Sequence, residues 1–189
     1  MRIISGKFKS KRIQAPKKLP VRPTTDMAKE ALFNILNNLY YLNDLVVLDL
    51  FSGTGNISYE FASRGTTNIT AVDANFGCIK FINETSKILE ADIHTIKSDV
   101  FKYLEKSNSK FDVIFVDPPY DFELEKFEKI VNQIFENELL NNNGLLIVEH
   151  SKHTKLDTHN KLSYQKKYGG NMFSFFENSQ DTEDIKVVD

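Results

Sequence analysis

Secreted and membrane proteins carry features that this chain lacks. Cys78 is the single cysteine among 189 residues, so no disulfide can form within the chain, and a reducing compartment is expected. The apolar runs are far shorter than the roughly 20 residues that span a bilayer. The N-terminus is positively charged, but no apolar block of the signal-peptide type follows it. These absences predict a soluble cytoplasmic protein with no membrane contact.

Nothing in the composition indicates disorder or several domains. Hydrophobic residues make up 41% of the chain, charged residues 26%, and 15 residues are Phe, which is enough to form a buried core. Chains of this length fold around a single core. We therefore expect one domain that folds unaided and acts as a monomer.

The formal charge of −2 is small, but the basic residues are unevenly distributed. Residues 1–22 contain no acid, whereas residues 23–189 hold 16 basic and 26 acidic side chains, a formal charge of −10. Such a basic segment is typical of a contact with nucleic acid phosphates, although charge alone fits a solvated arm without a partner equally well. The eight basic side chains of the segment are Arg2, Lys7, Lys9, Lys11, Arg12, Lys17, Lys18 and Arg22.

After the basic segment, the sequence pattern alternates between helices and strands. Asp26 is positioned to cap a first helix. Further helices are predicted at 57–64, 76–90, 100–104 and 124–135, and strands at 46–50, 69–72, 94–97, 111–116, 145–149, 161–168 and 172–176. This alternation predicts an α/β fold with a doubly wound, mostly parallel sheet. The last two strands meet at Gly169-Gly170-Asn171 without an intervening helix, which predicts an antiparallel hairpin.

Three units are expected along the chain. Residues 1–24 are predicted to be a basic N-terminal extension, an extended appendage to the core, because the prolines of its second half oppose helix formation. The core domain spans residues 25–178. Residues 179–189 are polar and acidic without periodicity, which predicts a flexible tail.

A glycine-rich turn follows the first strand. The sequence Asp49-Leu50-Phe51-Ser52-Gly53-Thr54-Gly55 leads from a buried strand into a helix, and such glycines let the backbone approach a ligand at the carboxyl end of a sheet. Asp73 follows the second strand, 18 residues after Gly55, where a carboxylate accepts hydrogen bonds from ribose hydroxyls. A nicotinamide dinucleotide and S-adenosylmethionine both fit this pattern.

Two positions favour S-adenosylmethionine. Ser58 stands in the place of the third glycine of the dinucleotide motif, so close helix packing beneath a pyrophosphate is not provided for. Asp49 precedes the turn, where a carboxylate repels a pyrophosphate but suits a cationic amino acid end with a sulfonium. Asp99, after the third strand, can accept from the adenine amino group, although a helix N-cap explains this residue as well.

The sequence Asp117-Pro118-Pro119-Tyr120 follows the apolar strand Phe111–Val116. An ordinary strand stop would explain the prolines, but not a charge, rigid carbonyls and an aromatic ring together. The Asp117 carboxylate and the Pro118 carbonyl can accept the two N–H groups of an exocyclic amine, so that its lone pair faces a methyl donor. Tyr120 can stack on the base. This pattern predicts methylation of an amino nitrogen on a base.

Five motifs stand in order along the chain. They are Arg22-Pro23-Thr24-Thr25-Asp26, Lys29-Glu30-Ala31-Leu32-Phe33-Asn34, Asp49 to Gly55, Ala62-Ser63-Arg64-Gly65 and Phe115-Val116-Asp117-Pro118-Pro119-Tyr120. From Arg2 to about Phe176 the chain resembles the bacterial RsmD family, the guanine-N2 methyltransferases of 16S ribosomal RNA. The resemblance implies a seven-stranded, Rossmann-like class I methyltransferase domain. It also implies S-adenosylmethionine as cofactor, S-adenosylhomocysteine as product, no metal, and ribosomal RNA or an assembling small subunit as partner.

The residue pattern and the resemblance together predict three sets of site residues. The catalytic set is Asp117, Pro118, Pro119 and Tyr120. The cofactor-binding set is Asp49, Phe51, Gly53, Gly55, Asp73, Ala74, Asp99 and Val100. The RNA-binding set is Arg2, Lys7, Lys9, Lys11, Arg12, Arg22, Thr24 and Thr25. The chain departs from the family pattern at Ser5 and Ser10, where glycines are usual, and at Met27, where an arginine is common.

Other functions fit part of the pattern. An adenine-N6 methyltransferase of RNA or DNA uses the same four-residue motif, and a non-catalytic RNA-binding module would keep the fold with an empty pocket. A dinucleotide oxidoreductase is disfavoured by Ser58 and by the lack of a candidate hydride-transfer acid.

Three groups of residues are interpreted without a chemical role. Glu149, His150 and His153 are assigned to a strand end and to solvated loop histidines rather than to a metal site, because no further ligand is spaced to complete a tetrahedron. Cys78 is assigned to packing, and the glycines after Tyr168 to a hairpin turn.

Overall fold

The computed structural model describes most of the chain. Within the described residues, no helix is long and apolar enough to cross a bilayer. The predictions made for Arg22, for Tyr120 and for the tail at 179–189 lie outside the described residues. The described ranges are 1–16, 18–19, 24–119, 121–156 and 159–178.

Helices and strands alternate along the chain, as the sequence pattern predicts. The helices are α1 (Asp26–Leu39), a short 3-10 helix (Leu42–Asp44), α2 (Asn56–Ser63), α3 (Phe76–Leu89), α4 (Val100–Lys106) and α5 (Leu124–Glu136). The strands are β1 (Val46–Leu50), β2 (Asn68–Asp73), β3 (His94–Lys97), β4 (Phe111–Val116), β5 (Leu140–Ser151), β6 (Leu162–Tyr168) and β7 (Asn171–Glu177).

The strands form one sheet in the order β3-β2-β1-β4-β5-β7-β6. Strands β1 to β5 pair in parallel, whereas β7 runs antiparallel to both β5 and β6. The predicted seven-stranded sheet with a C-terminal hairpin is therefore confirmed. Strand β5 begins earlier than predicted, because Leu140 pairs with Phe111 ahead of a register shift. Its polar first residues carry no apolar alternation, so the sequence pattern missed them.

Two hydrophobic clusters cover the two faces of the sheet. In β1, Val47 belongs to the cluster under α1, α2 and α3, while Leu48 and Leu50 belong to the cluster under α4 and α5. Phe115 of β4 lies on the same face as Val47. Side chains alternate along a strand. Asp49, two residues after Val47, and Asp117, two residues after Phe115, therefore point to that face as well.

The N-cap of helix α1 lies one residue earlier than predicted. Thr25, not Asp26, is the N-cap, and the Thr25 hydroxyl accepts from the backbone N–H of Ala28 at 3.2 Å. Asp26 occupies the first helical turn, where a negative charge is favourable. Its carboxylate also pairs with Arg2 at 3.0 Å.

The first part of the N-terminal segment packs against the core domain. Ile3 and Phe8 are buried and belong to the cluster that contains α1. The backbone N–H of Lys7 donates to the carbonyl of Ser63 at 2.6 Å, and that of Phe8 donates to the Ser63 hydroxyl. The segment thus satisfies the C-terminal end of α2, where helix carbonyls lack partners.

A buried ion network fastens this segment to the core. Glu60 is fully buried, and its carboxylate accepts from the backbone N–H groups of Ile4 and Ser5 at 2.9 and 3.0 Å. Lys29 and Arg64 approach the same carboxylate at 3.2 and 3.1 Å. The sequence pattern did not predict the burial of Ile3 and Phe8 or these bonds, because many of the residues next to them in the sequence are basic.

Candidate active site

A cleft of about 920 Å³ lies at the carboxyl ends of the parallel strands. The strand order reverses between β1 and β4, and ligands of open α/β sheets bind at such a point. Seven of the eight predicted cofactor-binding residues line this cleft. Those lining the cleft are Asp49, Phe51, Gly53, Asp73, Ala74, Asp99 and Val100.

Gly55 is the one predicted cofactor residue that does not line the cleft. It has a φ of 80° at the start of α2, a conformation that glycine adopts at little cost. A Cβ atom at this position would lie 2.8 Å from the ring of Tyr59. Gly55 therefore shapes the turn, while Gly53 faces the cleft.

Asp73 is held in place by the turn that it faces. One carboxylate oxygen accepts from the N–H of Gly53 at 2.8 Å and the other from the N–H of Asn75 at 2.7 Å. Burial raises the pKa of Asp73, and the two backbone donors oppose that shift. Each oxygen has a further lone pair for a ligand hydroxyl, so this carboxylate suits a ribose.

Asp49 is buried at the floor of the cleft, where it is only 2% exposed. One of its carboxylate oxygens accepts from both the N–H and the hydroxyl of Ser58. Burial raises the pKa of Asp49 to about 7, against the opposing effect of these two bonds. Ser58 thus orients the acid at the position where a dinucleotide site would have a glycine.

Asp99 caps helix α4 at the edge of the cleft. Its carboxylate accepts from the N–H of Lys102 at 3.1 Å. The side chain is exposed, so the second oxygen remains accessible to a ligand. The helix cap is observed, and adenine recognition by Asp99 stays a prediction.

Asp117 follows β4 on the face that carries Asp49. Leu50 of β1 pairs with Val116 of β4, and the Asp117 N–H approaches the Leu50 carbonyl at 3.4 Å. Asp117, Pro118 and Pro119 all line the cleft. The predicted catalytic and cofactor sets are therefore brought together, with Tyr120 outside the described residues.

The sequence pattern missed Glu149 as a residue of this site. It is 4% exposed and lines the cleft beside Asp117. The Thr24 hydroxyl donates to one of its oxygens at 2.8 Å, and the Asn171 side chain donates to the other. Its place at the carboxyl end of β5 was the available signal, because the ligand edge collects such residues.

His150 is not a solvated loop residue, which corrects the prediction. It is 6% exposed, and its ring nitrogens contact the Ser174 hydroxyl at 2.7 Å and the Ser151 carbonyl at 2.8 Å. His153 is exposed. No group of three metal-binding side chains occurs in the described part of the chain.

The electrostatics of the cleft favour a cation. Among the described residues that line it, none is Lys or Arg. The pKa of Asp117 is raised well above its ordinary value, mainly by burial and further by Glu149 and Asp49. A positive ligand would relieve this repulsion, which fits the ammonium and sulfonium groups of S-adenosylmethionine. The acidic lining residues are Asp49, Asp73, Asp99, Asp117 and Glu149.

The predicted RNA-binding residues fall into two places. Lys7, Lys9, Lys11 and Arg12 are exposed on the N-terminal segment, as is Arg2, whose side chain is 52% exposed. Thr24 and Thr25 instead line the cleft. Thr24 is buried and its hydroxyl donates to Glu149, while Thr25 is exposed and caps α1; their contact with RNA stays a prediction.

Comparison with known proteins places the chain in a family. A family model described as Conserved hypothetical protein 95 matches residues 1–177. The chain belongs to this family. Ribosomal RNA small subunit methyltransferase D of Buchnera aphidicola subsp. Baizongia pistaciae is 33% identical over 150 residues, 79% of this chain and 75% of that relative. The protein of the same name from Escherichia coli K12 is 28% identical over 159 residues, 84% of this chain and 78% of its own.

A solved structure has the same fold as this chain. The candidate methyltransferase yhhF from Escherichia coli superposes with a TM-score of 0.82 at 26% identity and covers 95% of this chain and 99% of its own. The predicted RsmD relationship and the predicted class I fold are confirmed by these likenesses.

Proposed function

We propose that this protein transfers a methyl group from S-adenosylmethionine to the exocyclic N2 amine of a guanine in small-subunit (16S) ribosomal RNA, with S-adenosylhomocysteine as the product. The family and its relatives, which are called ribosomal RNA small subunit methyltransferase D, support ribosomal RNA as the substrate and methyl transfer as the reaction. We also propose that the protein acts in the cytoplasm, as a monomer, on free RNA or on an assembling small subunit.

The observation that carries this proposal is the acidic cleft that Asp117, Pro118 and Pro119 line together. Every charged residue among the described lining residues is an acid, so the cleft repels a pyrophosphate and attracts a cationic methyl donor. Asp73 is held by two backbone N–H donors, and its carboxylate oxygens are acceptors placed for ribose hydroxyls. Asp49 is the acid suited to the cationic amino acid end.

The protein's part in the reaction is to hold an amine. When bound, S-adenosylmethionine supplies a methyl group on a positively charged sulfur. The Asp117 carboxylate and the Pro118 carbonyl accept the two N–H groups of the base amine, so that its lone pair is free to attack. The paired prolines keep these oxygens fixed before the base arrives, which reduces the reorganisation needed as positive charge grows on nitrogen.

Asp117 is also the group placed to take the proton that leaves the methylated nitrogen. Its pKa is raised by burial and by neighbouring acids, and a carboxyl group with a raised pKa holds a proton more firmly near neutral pH. The proton then passes to water at the open side of the cleft.

We propose that the N-terminal segment binds RNA phosphates. The ammonium groups of Lys7 and Lys11 lie 5.2 and 5.3 Å from the centre of the Phe8 ring. Because Phe8 is buried in the core, the two charges are held on an ordered segment. Charge reversal at Lys9, Lys11 and Arg12 should weaken RNA binding and flatten its salt dependence, because fewer counterions are released. An unchanged salt slope in filter binding would contradict this role.

The reaction is tested with tritiated S-adenosylmethionine and small-subunit RNA or particles, followed by nucleoside analysis. Labelled N2-methylguanosine is expected. Labelled N6-methyladenosine would support the adenine methyltransferase instead. RNA binding without any label transfer would support a non-catalytic binding module.

A pair of variants assigns the chemistry to Asp117. Asp117→Ala should abolish methyl transfer while S-adenosylmethionine still binds in calorimetry. Asp121→Asn is the matched control, because Asp121 is exposed and does not line the cleft. Full activity in the Asp117 variant would remove the proposed role.

A further inference from the structure

We propose that Glu149 reads the N1–H of the target guanine and so makes the site selective for guanine over adenine. This inference rests on the proposed function, because it concerns the base that enters beside Asp117. Glu149 would be a specificity-determining residue that touches the substrate, next to the acid that holds the amine.

The strand register puts the two carboxyl groups side by side. Val116 of β4 pairs with Val148 of β5 in parallel. Asp117 is the residue after Val116 and Glu149 the residue after Val148, so the two acids lie next to each other just after the last paired residues of the two strands. Their side chains share a face, and neighbouring strands lie about 5 Å apart. Both residues line the large cleft and also a second, smaller cavity.

The contacts of Glu149 fix its orientation and its hydrogen-bonding role. Thr24, just before α1, donates to one oxygen, and Asn171, at the start of β7, donates to the other. Two neutral donors on the two oxygens suit an acceptor-only carboxylate. A carboxylate has about four acceptor sites on its two oxygens, so Glu149 can accept an N–H from a base in the cleft in addition to the bonds that orient it.

Guanine and adenine differ at the atom that Glu149 would meet. Guanine carries N1–H directly beside its N2 amine, and the two neighbouring donors match two neighbouring carboxylates. Adenine carries its N6 amine beside an unprotonated N1, whose lone pair would face the Glu149 carboxylate. Such a pairing leaves two acceptors opposed without a proton, which a buried site rejects strongly. RNA-binding proteins commonly read single bases on this edge.

The test compares two bases that both carry the N2 amine. After the labelled nucleotide has been located, RNAs are prepared with guanine or with 2-aminopurine at that position. In 2-aminopurine the N1 atom is an acceptor. The wild-type protein should methylate guanine with a kcat/KM about 100-fold higher than 2-aminopurine, the scale of an unpaired buried polar group.

Glu149→Gln should reduce this preference to less than about tenfold, because the Gln amide can donate to the N1 of 2-aminopurine. The loss of the guanine O6 in 2-aminopurine affects both proteins alike, so the change in the ratio reports the N1 contact. A merely structural defect would lower both rates together and leave the ratio unchanged.

Glu177→Gln is the matched control, because Glu177 is exposed at the far end of β7 and outside the cleft; it should keep the wild-type ratio. Equal wild-type rates on the two bases, or an unchanged ratio in Glu149→Gln, would overturn the inference. If Glu149→Gln does not fold, equal wild-type rates on guanine and 2-aminopurine would still overturn the inference. Absence of any N2-methylguanosine from wild-type reactions would instead refute the proposed function.

Discussion

Replacing Asp49 by Asn should stabilise the folded protein more at high pH than at low pH. Asp49 is 2% exposed, and burial raises its pKa from 3.8 to about 7. The folded protein therefore disfavours the charged carboxylate, and each unit of this shift is worth about 1.4 kcal/mol. A neutral Asn avoids this cost and still offers an oxygen to Ser58.

The pH window follows from the two pKa values of Asp49. The unfolded carboxyl group ionises near its ordinary pKa of 3.8 and the folded one near 7, so the wild-type protein loses stability as pH rises across this window. Between pH 5 and pH 8 the loss is roughly 2 to 3 kcal/mol. The Asn variant has no such titration. Its free energy of unfolding relative to wild type should therefore increase by that amount over the same interval.

Urea unfolding of both proteins at the two pH values measures this difference. Any loss of packing or of the Ser58 hydrogen bonds shifts both values equally, so only the change with pH carries the argument. Asp92→Asn, at an exposed position, should differ from wild type by less than about 0.5 kcal/mol at both pH values. A difference between Asp49→Asn and wild type that is independent of pH would refute the reasoning.

Three further outcomes are expected. The affinity of the wild-type protein for S-adenosylmethionine, measured by calorimetry, should rise by up to about tenfold per pH unit below pH 7 and then level off, because the ionised Asp49 attracts the cation; an affinity that falls with pH would contradict this. Glu60→Gln should lower the free energy of unfolding by about 3 kcal/mol in urea titration, because it leaves the buried Lys29 charge without its partner. Gly6→Ala should detach the N-terminal segment and weaken RNA binding while cofactor binding persists, since a Cβ would lie 1.8 Å from the Ser63 carbonyl oxygen at a φ of 80°; wild-type RNA affinity would argue against a docked arm.

Ser10 shows how the departures from the family pattern are tolerated. Its φ is 68°, a left-handed conformation in which a glycine, usual at this position in the family, costs less. Its N–H donates to the Ile3 carbonyl at 2.9 Å, so the turn is kept by the bonds around it. Ser5 has no such φ, and the neighbouring Gly6 supplies that conformation.

The order of the elements and the two motif loops were determined by the sequence itself. A strand such as β4 and a helix such as α5 differ in the period of their apolar residues, and this period is local information. The turn before α2 and the prolines after β4 are also local, because glycine and proline constrain their own backbone. For these reasons the sequence predicted the glycine turn before α2 and the end of β4 at the positions where the structure has them.

The partners of these residues were decided only by the tertiary structure. Glu149 meets Asp117 through strand register, and it meets Thr24 across 125 positions of sequence. The charges of the N-terminal segment predict an exposed arm, whereas in the structure Phe8 of this segment belongs to the buried core. Contacts between distant residues depend on how strands are ordered and which faces they share, and no local period encodes that choice.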